Sequence, residues 1–177
     1  QEKSVQATGM MDNFMDFYTC VTVSNPFETM EGLREAYREV TAVLDNSFLE
    51  DLSQMTFYAD IRTAENNYRT GLDQNSREIC QSVRLGRREE TLTQFGRLLM
   101  EQKKAGLSAS AIKGTGILLK NECGAMLKEF NETLYDVTDL NPSITKKITN
   151  CISYAKYAAL MTELLGKTAD FFNQVVD

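Results

Sequence analysis

The chain has 177 residues, 42% apolar and 25% charged, with two prolines, four cysteines and no histidine; this length suits one domain, residues 1–177, with a sizeable core of long regular elements. A formal charge of -6 and a pI near 4.8 argue against phosphate backbones and anionic lipid as partners, and no apolar run of about 18 residues could cross a bilayer as a helix. Without histidine the chain lacks the commonest general base, triad partner and metal ligand, so neither an enzyme nor a cofactor or metal site is expected.

Taken in chain order, a first helix is expected around Met10, Met11, Phe14, Phe17 and Tyr18. Asn25-Pro26 then has the chemistry of a helix start, with asparagine as cap and proline at the first helical position. Beyond it Phe27, Met30, Leu33, Tyr37, Val40 and Leu44 recur at spacings of three and four, which predicts one buried stripe. Glu28, Glu31, Glu35, Arg38 and Glu39 take the wet face.

Ser47 and Glu50 match a capping box, so either a new helix begins there or one helix runs through. Its stripe would be Leu52, Met55, Tyr58, Ile61, Ala64 and Tyr68, ending near Gly71. A further helix, started by Asn75 or Ser76, carries Ile79, Val83, Leu92, Phe95 and Leu99, with a bend or break expected in Gly86-Arg87-Arg88-Glu89-Glu90. The clearest pattern runs from Leu107 to Val137, about eight turns long. Gly114 and Gly116 within it cost helix propensity and point to close backbone approach or local looseness.

A second Asn-Pro, Asn141-Pro142, opens the last helix, which is apolar on more than one face and therefore central. The stretches Val21–Pro26 and Val137–Pro142 share a VTxxNP pattern; recurring turn chemistry accounts for it better than an internal repeat. No run of period-two alternation marks a strand. The fold class read from these elements is all-α, an antiparallel bundle of five to six amphipathic helices.

Four cysteines without a CxxC pair suit two disulfides in an oxidising compartment. If helices fold back about the corners near residues 50 and 137, Cys20 pairs with Cys80 and Cys123 with Cys151. Asn131-Glu-Thr133 is a glycosylation sequon, and Asn121-Glu-Cys123 a weaker one. The chain opens on Gln1 rather than methionine, as a secreted protein would after processing. These features together predict a secreted, extracellular glycoprotein.

The expected function is non-catalytic protein recognition or self-association, with Tyr154, Tyr157, Leu160, Met161 and Leu164 as the candidate interface. Core packing of a central helix explains the same five residues. The alternative is an extracellular carrier of lipid or another hydrophobic ligand, in a cavity lined by some of the eight methionines and nine phenylalanines.

Overall fold

The computed structural model describes residues 21–50, 55–60, 74–140 and 143–176. Its elements are β1 (Val21–Val23), α1 (Met30–Glu50), β2 (Met55–Phe57), a 3-10 turn (Tyr58–Asp60), α2 (Gln74–Arg84), α3 (Arg88–Lys104), α4 (Ala109–Lys128), α5 (Leu134–Thr138), α6 (Ile144–Thr149) and α7 (Tyr154–Val176). The protein is thus mostly helical, as the periodicity implies. The small parallel sheet, with Val21 opposite Met55 and Val23 opposite Phe57, was not foreseen, because three-residue strands are too short to show alternation.

The chain divides into two compact units, one of residues 1–65 with 152–154, the other of residues 66–151 with 155–177. In the first, α1 packs on β1 and β2 and buries Ala36, Val43, Ser47 and Phe48. Asn25 does not cap the helix. Its backbone N–H and side-chain amide both donate to the Glu39 carboxylate, at 2.7 and 2.9 Å, while Thr29 accepts from Gly32 N–H at 3.3 Å and starts α1. The helix runs through Ser47 without a corner. Where helix was expected, residues 55–60 form a strand and a tight turn. The expected first helix, Cys20, residues 61–73 and Asn141-Pro142 lie outside the described residues.

The second unit begins with α2 and α3, separated at Gly86 inside the predicted break. Gly86 has a φ of +67° and lies against the backbone of Asn173, so a side chain there meets both a conformational and a steric obstacle. Ser82 donates to Gln94 at 2.7 Å and Asn75 to Glu101 at 2.6 Å, fixing an antiparallel pair. The next turn, at Gly106, is closed by Leu107 N–H donating to Gln102 O. Ser108 then caps α4 by accepting from Ala111 N–H at 3.2 Å.

The expected helix from Leu107 to Val137 stops at Lys128. Glu132 N–H donates to Leu127 O and Asn131 adopts a left-handed φ of 61°, the bonding of a helix stop. Thr133 and Asp136 then form a capping box that starts α5. The last helix is likewise divided: α6 ends at Thr149, with Asn150 as its C-cap, and α7 begins at Tyr154. Along α7, Tyr157, Met161, Leu164, Leu165, Thr168, Ala169 and Phe172 are buried. They form one broad stripe rather than several faces.

The predicted close approach is at Gly116. Tyr157 of α7 lies where a side chain on Gly116 would project, and its hydroxyl donates to Ile112 O at 2.9 Å. Tyr157→Phe should cost about 1 kcal/mol of stability, and Gly116→Ala about 1–3 kcal/mol through overpacking. The atom nearest the added methyl is the Tyr157 hydroxyl. Gly116→Ala should therefore cost less in the Tyr157→Phe background, a coupling that denaturant unfolding of all four proteins measures.

Candidate functional site

The site is built on α1. At about 100° per residue, Ala36, Val43 and Ser47 point within about 40° of one another and are buried. Met30, Leu33, Tyr37 and Leu44 share an adjoining sector about 60° wide, and all are exposed, Met30 at 79% and Tyr37 at 74%. Val40, half-buried, lies between the two sectors. The helix thus carries a single wide apolar arc, buried along one edge and, at Phe48, in its last turn, with the rest of the adjoining sector open.

This departs from the expected stripe, since Met30, Leu33, Tyr37 and Leu44 face outward while Ala36, Val43, Ser47 and Phe48 are buried. Phe27, before the helix, is also exposed and lies over Gly32. Charges sit beyond the arc: Arg38 donates to Glu35 at 3.3 Å in an exposed pair, and Glu39 is held by Asn25. Nothing charged interrupts the apolar sector. Heptad spacing of Met30, Tyr37 and Leu44 was the signal available in the sequence, but the pattern cannot say which edge of a wide arc is covered.

The candidate interface residues of the last helix lie mostly inside. Tyr157, Met161 and Leu164 are buried, and Tyr154 and Leu160 are half-buried. Tyr154, which groups with the first unit, stands edge-on to Phe48 at 5.9 Å. These residues pack the interior because α7 faces the core along nearly its whole length.

Asn131 is exposed in its left-handed turn. Asn121 is exposed on α4, whereas Cys123, the third residue of its sequon, is fully buried. Two open depressions mark the second unit. One, about 410 Å³, places Glu132, Asp136, Asp139 and Asp170 around Lys167, whose ammonium already meets Glu163 and Thr138 O, each at 2.9 Å. The other, about 540 Å³, is bordered by Lys120, Asn121, Lys128 and Thr133.

Among the described residues no group of three His, Cys, Asp or Glu could hold a metal ion, and no described helix is long and apolar enough to cross a membrane. Set against protein-family models, curated proteins and solved structures, the chain matches none of them. Its site is read from its own geometry.

The cysteines depart from the expected pairing. Cys80, Cys123 and Cys151 are all thiols, so no disulfide joins Cys123 to Cys151. The symmetry argument fails because α4 does not fold back directly on the last long helix; α5 and α6 intervene. Likewise α1 has no corner at Ser47 to centre a Cys20–Cys80 pair.

Burial, and then the Glu122 carboxylate, push the Cys80 thiol up to about 11. Cys123 is raised further, by burial first and then by Cys80 and Glu122, with partial relief from Thr168. In the unfolded chain these thiols ionise near 9, so above that pH the native state holds more protons than the unfolded one. Stability of the reduced protein should be intact below about pH 9 and fall as pH rises toward 11. Urea unfolding across that range checks this, and Cys123→Ser should flatten the decline.

Proposed function

We propose that this chain is a secreted, extracellular, non-catalytic binding protein that acts through protein–protein recognition, with the open sector of α1 as its contact surface. The supporting observation is the exposure of Met30, Leu33, Tyr37 and Leu44 in one sector of one helix. Single exposed apolar residues are common, but an aligned set of four with an aromatic at its centre is the composition of an interface core.

Their spacing favours a second copy as the partner. Met30 and Leu44 lie seven residues to either side of Tyr37, and Leu33 and Thr41 four to either side. A two-fold axis through Tyr37 would pair α1 antiparallel with itself, Met30 against Leu44 and Tyr37 against Tyr37, as a self-complementary patch requires. Together with Phe27 the exposed side chains offer on the order of 600 Å² per copy, about 1,200 Å² for the pair, the lower bound for a specific interface. Arg34 of each copy would lie by Thr41 of the other, so no like charges are forced together.

Light scattering tests this. The wild type should show a concentration-dependent dimer at micromolar concentrations, and Leu33→Ser with Tyr37→Ser should remain monomeric, with a stability change within about 0.5 kcal/mol per exposed site. A wild type monomeric at about 100 µM, which excludes even weak micromolar pairing, would reject self-association. A dimer unchanged by the double substitution would place the contact elsewhere. The secreted reading further predicts that expression through a secretory pathway yields protein whose mass falls on deglycosylation, and that Asn131→Gln abolishes the change.

A further inference from the structure

We propose that Cys80 and Cys123 are an oxidation site, closing on each other as a disulfide that ties α2 to α4. Two separate sets of contacts give their relative height. Ser82 with Gln94 and Asn75 with Glu101 fix α2 antiparallel to α3, and Gln102 donating to Thr115 at 3.0 Å fixes α3 antiparallel to α4. Carried across both pairs, this register puts Cys80 level with Asn121. Independently, the end of α2 meets the end of α4 where Arg84 reaches Glu129 at 2.6 Å, a register that puts Cys80 level with Ala125.

Cys123 stands midway between those two positions, within about 3 Å of Cys80 along the helix axis. The helices α2 and α4 pack directly on each other. Cys123 is fully buried, and Cys80, next to buried Ile79, is half-buried at the edge of the contact. Each feels Glu122, and Cys123 feels Cys80. Cysteines on adjoining helices at one height can meet the short Cβ separation a disulfide needs.

Access differs between the two sulfurs and orders the chemistry. A low-molecular-weight disulfide such as oxidised glutathione is attacked by the Cys80 thiolate, forming a mixed disulfide and releasing one reduced glutathione. Cys123 then attacks the Cys80 sulfur and expels the second. The protein loses two hydrogens and two electrons, and one disulfide becomes two thiols. Burial of both thiols makes exchange slow at neutral pH. This pairing leaves Cys20 and Cys151 as the remaining two cysteines, and it does not depend on the proposed role of α1.

The full chain is incubated with oxidised glutathione at about pH 9, where thiolate begins to accumulate, then quenched in acid, alkylated and digested with trypsin without reduction. The expected product links the peptide Glu78–Arg84 to Asn121–Lys128 and disappears on reduction. Cys80→Ser should leave Cys123 as an alkylated thiol, and Cys123→Ser should trap Cys80 as its mixed disulfide with glutathione. Recovery of Cys80 bonded to Cys20, of Cys123 bonded to Cys151, or of both thiols alkylated after oxidation would overturn the proposal.

Discussion

The second unit depends on the seating of Tyr157 over Gly116. In most helices a glycine is a weakness of about 1 kcal/mol. Here it gives an aromatic ring room to lie against the backbone of α4, and the ring's hydroxyl reaches the Ile112 carbonyl. A ring of that size buries far more apolar surface than the lost propensity is worth. The same device recurs along α7: Arg88 lies over Gly166, its guanidinium paired with Asp170, and Gly86 accommodates Asn173 near the far end. α7 thus meets its neighbours closely at a glycine near its start, middle and end. Its buried stripe from Tyr157 to Phe172 follows from that placement.

The first unit is organised differently. It has a short parallel sheet, one long helix and a polar tie from Asn25 to Glu39. α1 packs on both strands and buries Ala36, Val43 and Phe48. Four apolar side chains of the adjoining sector are left outside. Exposure of Met30, Leu33, Tyr37 and Leu44 is therefore a consequence of how α1 is rotated on its own sheet. The charged residues beyond the arc leave the apolar sector continuous.

The thiols show how tertiary register redirects a sequence argument. Hairpins of two long helices with corners near residues 50 and 137 would pair Cys20 with Cys80 and Cys123 with Cys151. The helices in question are interrupted at Asn131 and Asn150, so the counting has no symmetric centre. Two successive antiparallel pairs, α2 on α3 and α3 on α4, instead bring α2 and α4 side by side in parallel. That arrangement sets Cys80 beside Cys123.

The sequence by itself determined the helical character, an interruption around Gly86, a helix beginning near Leu107 and the unusual place of Gly116 within it. Each is a local matter of periodicity, capping or missing side chains, and each acts within a few residues. It also showed that α1 is amphipathic and that the last helix is rich in apolar residues. Only the tertiary structure decided which edge of the α1 arc is covered, that Tyr157, Met161 and Leu164 lie inside, and which cysteines share a level. Those outcomes depend on how helices are rotated and offset against distant partners, and periodicity along one segment carries no term for the rotation or height of another.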